Sequence, residues 1–158
     1  MVESCAAMEG EKMLKLIEQE KPEPFDHFAS AGKIPHYSKT HFYGDLCMKQ
    51  GIEVQRISAR DEQDQIVATA LIQWEKICGI EYGYICYGFN LDYTNSETLC
   101  FFAKELTRIA RQRGAAYLRM ELNVPRLEHE KDGQVKIGGF NNENVAAWME
   151  TCGYKHLG

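Results

Sequence analysis

Two segments, Ile66–Trp74 (IVATALIQW) and Ile80–Phe89 (IEYGYICYGF), are largely apolar on both of their faces. A strand with one wet face alternates, whereas a strand that does not alternate is central in a sheet covered on both sides. These segments commit the chain to a sheet with helices packed on it, an α/β or α+β domain with a mixed sheet. At 158 residues, 44% of them hydrophobic, the chain fits one domain with a core of its own.

The surrounding pattern supplies the helices. Ser96–Arg113 carries Leu99, Phe102, Ala103, Leu106, Ile109 and Ala110 on one stripe. Thr94 and Glu97 have the spacing of a capping box, and Gly114 reads as the stop. Arg108, Arg111 and Arg113 load the last turns, where positive charge suits the helix dipole. Pro24 reads as a helix start with Phe25, Phe28 and Ala29 on one face and Gly32 at its end. A second short helix falls within Lys39–Gln50, and a last one covers Asn141–Thr151 with Val145, Trp148 and Met149. Ile52–Ala59 reads as a strand followed by the polar turn Asp61–Gln65, while Met13–Gln19 suits a helical face or a short strand equally.

Ala115–Leu122 (AAYLRMEL) is a strand by alternation, with Tyr117, Arg119 and Glu121 on one face and Leu118, Met120 and Leu122 on the other. An aromatic ring, a cation and a carboxylate in one row suit a polar substrate near a strand's C-terminal end. On composition alone, a half-exposed strand with an Arg–Glu pair accounts for the row as well.

Several chemistries find little support. Cys5, Cys47, Cys78, Cys86, Cys100 and Cys152 have no paired spacing and read as buried reduced thiols, and Cys152 with His156 lacks the second pair that a zinc site needs. A metal site is not expected. A net charge of −5 argues against a whole-domain grip on nucleic acid. Apolar runs are all interrupted by charged or amide side chains, and the N-terminal stretch lacks a basic start followed by an apolar block, so a cytoplasmic protein is expected. His27, His36, His41, His129 and His156 have no nucleophile at a motif spacing. Lys104, Arg108, Arg111 and Arg113 could face an anionic partner, although a solvated helix face explains them more simply. The string Arg111–Ala116 matches R-x-x-G-x-A, an acyl-CoA loop pattern, but that loop must open a helix, and this one closes it.

Read together, YGY-x3-GF-x-LDY, the helix FFAKELTRIARQRG, the strand AYLRMEL and the ending CGYKHLG resemble the FemABX family, bacterial aminoacyltransferases that build peptidoglycan interpeptide bridges. Upstream, FDHFAS, the aromatic-rich helix before Gly51, IEVQRISA and DEQDQIVATALI agree in order and spacing, so the resemblance runs from about Met13 onward. It implies a GNAT-like fold, that of the acyl-CoA N-acyltransferases, and transfer of an amino acid from aminoacyl-tRNA to the stem peptide of a UDP- or lipid-linked muramyl precursor. The resemblance also implies a reaction with no metal or organic cofactor, and peripheral membrane contact where the precursor is lipid-linked. The family commonly has Asp-Pro where this chain has Glu121-Leu122, and Gly-Pro where it has Gly88-Phe89. Glu121 is thereby the expected catalytic carboxylate. Tyr117 and Arg119 are expected substrate contacts, with Lys39 and Lys49 the lysines available for precursor phosphates.

Family members continue well past the ending matched here. Residues 1–158 are therefore expected to be a single GNAT-like domain, the first subdomain of such an enzyme. The remainder of the enzyme would bind the tRNA, and the isolated chain is expected to be inactive. The competing readings are a self-contained acetyl-CoA-dependent N-acetyltransferase and a non-catalytic module that binds a cell-wall precursor.

Overall fold

In a computed structural model, residues 13–157 are described, and Cys5, with the first twelve residues of the N-terminal stretch considered above, lies outside them. The element order is β1 (Lys15–Ile17), α1 (Pro22–Ala31), α2 (His41–Lys49), β2 (Glu53–Arg60), β3 (Ile66–Ile77), β4 (Ile80–Ile85), β5 (Asn90–Leu91), α3 (Ser96–Arg113), β6 (Leu118–Met120) and α4 (Val145–Thr151). The sheet runs β1-β2-β3-β4-β6, with β5 paired to β3. All of its pairings are antiparallel except β4–β6, which is parallel and follows the α3 crossover. This is the mixed sheet flanked by helices that the sequence predicts.

Each face is buried for a different reason. Ile57, Ala68, Ala70, Ile72, Trp74 and Ile85 meet the stripe of α3, including Leu99, Phe102 and Leu106, together with Val145 and Met149 of α4. The opposite face of β2–β3 presents Val54 and Leu71 to Phe25 of α1 and Cys47 of α2. Both faces of β3 are therefore dry over its middle, which is why its sequence does not alternate. β4, expected to be covered on both sides as well, is covered on one, and its other face carries the half-buried Tyr82 and Tyr84. β4 can lie against β6 because residue 83 is glycine. A Cβ there would stand 2.6 Å from Leu118 Cδ1 and 2.7 Å from Trp74 Cζ3.

Several local expectations change. The cap of α3 is Asn95, whose side chain accepts from the Thr98 N–H at 3.0 Å, and not Thr94. Thr94 instead donates through both its N–H and its hydroxyl to Asp92 Oδ1. Asn95→Ala is expected to cost about 1 kcal/mol in chemical denaturation, whereas Thr94→Ala leaves the helix cap intact. α1 starts at Pro22, α4 starts at Val145 and not Asn141, and β4 stops at Ile85 and not Phe89. Finally, Cys78 is not a buried thiol. It is exposed and sits with Gly79 at the left-handed turn between β3 and β4. The ambiguous N-terminal segment is a strand, β1.

Candidate functional site

Register carries one face of the sheet from β3 to β6. Glu75 lies opposite Tyr82 and Gln73 opposite Tyr84. Tyr84 in turn lies opposite Arg119. Tyr117, Arg119 and Glu121 alternate onto this same face. α1 and α2 cover the face over β2–β3, and over β4–β6 its side chains remain open.

The open part has a graded chemistry. Tyr82 and Tyr117 stack with ring centroids 5.1 Å apart and form an aromatic shelf. The Arg119 guanidinium lies 5.9 Å over the Tyr84 ring and 3.5 Å from Glu121 Oε1. Arg119 and Glu121 are 59% and 55% exposed, so their mutual attraction is weak and both are free to engage another molecule. Burial, the neighbouring Cys86 thiol and the Glu121 carboxylate together push the Tyr84 phenol well above its ordinary range, so it remains a proton donor at neutral pH.

At the end of β4 the chain turns out of the ladder. Tyr87 and Gly88 both have left-handed backbones, with φ of 59° and 71°. For a tyrosine that conformation costs on the order of 1–2 kcal/mol, and the His36 ring stacks on Tyr87 at 3.7 Å. His36 is itself held by Ser38, whose Oγ lies 2.7 Å from His36 Nδ1. Tyr37 packs against both His36 and Tyr43, completing an aromatic wall between α1 and α2.

The five residues singled out from the sequence do not form one cluster. Tyr117, Arg119 and Glu121 share the open face. Lys39 is apart from them, 5% exposed, and its Nζ donates to the Phe89 carbonyl oxygen at 3.0 Å. Burial lowers its pKa to about 8. Lys49 is exposed on the last turn of α2, separated from Lys39 by the helix, about 13 Å for nine residues. One small anion cannot contact both lysines.

Sequence reasoning passed over Tyr84, Cys86, His36 and Tyr87. The only signal for the last was Tyr-Gly inside an otherwise apolar run. Two of the four basic residues on α3 are committed elsewhere. Arg113 pairs with Glu53 and Glu81 and lies over Trp74, while Arg108 pairs with Glu105 and Glu18. Among the described residues, no helix is long and apolar enough to cross a membrane.

A model of the FemAB family matches residues 20–158. Aminoacyltransferase FemA of Staphylococcus epidermidis is 24% identical over 135 residues, which is 85% of this chain and 32% of that protein. Its counterpart in Staphylococcus aureus strain MW2 is 23% identical over the same shares. The chain thus spans about a third of the length of the curated relatives it matches. A crystal structure of FemX superposes with a TM-score of 0.73 at 18% identity, over 91% of this chain and 33% of that one. Glucosamine-6-phosphate N-acetyltransferase from Arabidopsis thaliana superposes with a TM-score of 0.58 at 14% identity, over 92% and 94% of the two chains. The fold is that of the GNAT-like acyltransferases.

Proposed function

The chain belongs to the FemAB family, and we propose that it forms part of an aminoacyltransferase that moves an amino acid from aminoacyl-tRNA to the stem peptide of a peptidoglycan precursor. The observation that carries this reading is the open sheet face, where a carboxylate, a guanidinium and stacked tyrosines meet at the end of a parallel strand pair. The acceptor amine attacks the ester carbonyl, and a C–N bond forms as the C–O bond to the tRNA breaks. Glu121 takes the proton that the amine must lose, and the leaving ribose oxygen gains one. Arg119 and Tyr117 orient the acceptor, which is the contribution that positioning makes to such a reaction. Lys49 meets the precursor's phosphates from the solvent side of α2, and Lys39 meets a substrate anion from within.

Residues 1–158 form the first GNAT-like domain of this enzyme, and the remainder binds the tRNA. The reaction takes place in the cytoplasm, with peripheral membrane contact where the precursor is lipid-linked. An acetyl-CoA-dependent reaction is less well supported. The start of α3, where a pyrophosphate would seek free N–H groups, carries Asn95, Asp92 and Glu97. The R-x-x-G-x-A string lies at the opposite, C-terminal end of that helix.

The test is transfer of a labelled amino acid from aminoacyl-tRNA to muramyl-peptide precursors. A protein of the relatives' full length that includes these residues is expected to turn over, and residues 1–158 alone are not. Turnover by the short chain sinks the division of labour, and inactivity of the long one sinks the reading. Arg119→Ala in the long protein is expected to raise KM for the precursor on the order of 10- to 100-fold. Equal KM values would return Arg119 to the solvated surface.

A further inference from the structure

A cavity of about 540 Å³ lies between the end of α1, residues 89–94 and the loop 138–142. Phe28, Ile34, Phe89 and Phe140 give it apolar walls, while Asn141 and Asn142 supply amides. That size and composition suit a small organic ligand. It lies apart from the Tyr117–Arg119–Glu121 face, none of whose residues lines it.

Lys39 lines this cavity, and its surroundings are unusual for a lysine. An ammonium has three donors, and among the described residues the Phe89 carbonyl is its one acceptor. Among the same residues no carboxylate pairs with it. A buried charge without a counter-ion is costly, and a fold keeps one where something compensates it.

The charge around the cavity indicates what that compensating group is. Glu128 is neutralised by Lys136 at 2.5 Å and also accepts the Phe140 N–H. Asp92 is held by Thr94, with Lys33 nearby lowering its pKa further. One positive charge is left over, that of Lys39. A single left-over charge matches a singly charged carboxylate better than a dianionic phosphate.

We propose that this cavity binds the C-terminal carboxylate of a short peptide, with the carboxylate against Lys39 and the final side chains on the phenylalanine walls. The ligand's identity rests on the peptide-acceptor reading above, but its binding requires neither tRNA nor transfer. The groups facing the ammonium are the Cys86 thiol and the Tyr93 hydroxyl, which shares the Phe89 oxygen. Lys33, Asp92 and Glu128 stand around the same cavity.

The probe is N-acetyl-alanyl-alanine, in both hands, titrated by calorimetry into the chain. Its C-terminal amide and inorganic phosphate serve as the other arms. The acid is expected to saturate, and the amide to bind on the order of 10- to 100-fold more weakly. Lys39→Met should weaken the acid by a similar factor while its circular dichroism matches wild type. Lys39→Arg should retain binding, and should lose the wild type's weakening as pH rises through about 8. The proposal is overturned by an amide that binds as well as the acid, by phosphate binding more tightly than either, by unchanged affinity in Lys39→Met, or by no saturation at all. Each of those results leaves the transfer assay untouched, so the two failures are distinguishable.

Discussion

Glu121→Gln in a protein of the relatives' full length that includes these residues is expected to lower the rate of aminoacyl transfer by a factor on the order of 100 to 10,000, the usual contribution of a positioned proton acceptor. Glutamine keeps the shape of the side chain and removes its basicity. Glu121 is more than half exposed, and its one ion-pair partner is Arg119 at 3.5 Å, so the melting temperature should not move. That separation makes the experiment informative: a large loss in kcat with unchanged stability is a chemical effect and not a folding one. Arg119→Ala provides the contrast, because a binding residue acts on KM. If Glu121→Gln transfers at the wild-type rate, the amine loses its proton to another group and the open face is only a platform.

Lys39→Met is expected to stabilise the chain by about 3 kcal/mol at neutral pH. Lys39 titrates at about 8 and not 10.5, and that difference corresponds to about 3 kcal/mol of unfavourable burial of the charged form. Methionine fills similar space without charge. Below about pH 8 the folded chain carries the full cost. Between about 8 and 10.5 the folded lysine has released its proton while the unfolded one still holds it, so wild-type stability rises with pH through that window. The advantage of the variant is therefore largest below pH 8 and fades above 10.5. Urea denaturation of both proteins at several pH values measures it. Equal stabilities at pH 7 would mean that Lys39 is solvated.

Much of the fold could be read from residue patterns because the physics behind them is local. α3 follows its apolar stripe from Ser96 to Arg113, and the alternation of AYLRMEL assigns the right side chains to the right faces, although only Leu118–Met120 make ladder pairs. The errors came where two local rules competed. Thr94 and Asn95 can both cap a helix, and Asp92 decides between them by drawing Thr94 into a turn. The apolar run after Ile85 hides the break at Tyr87–Gly88, whose cost is offset by a stack with His36, far away in sequence. The segment from 123 to 144 has no period at all and is shaped by the isolated bridges Leu127–Asn141 and His129–Val135. Nothing in the string marks Lys39 as buried, because its burial depends on where the Phe89 carbonyl ends up in three dimensions.

Only three residue pairs join β6 to β4, and α3 intervenes between those two strands in the chain. β2, β3 and β4, by contrast, follow one another through short turns, while β1 reaches β2 through three pairs across α1 and α2. Pairings that close small loops form early, and those that must wait for an intervening helix form late. β6, like β1, therefore joins late during folding and is among the first strands to leave when the native state opens locally. Arg119 lies on that strand and Glu121 directly after it, so their alignment with Tyr84 is among the shorter-lived parts of this face. A ligand that bridges β4 and β6 would lengthen it.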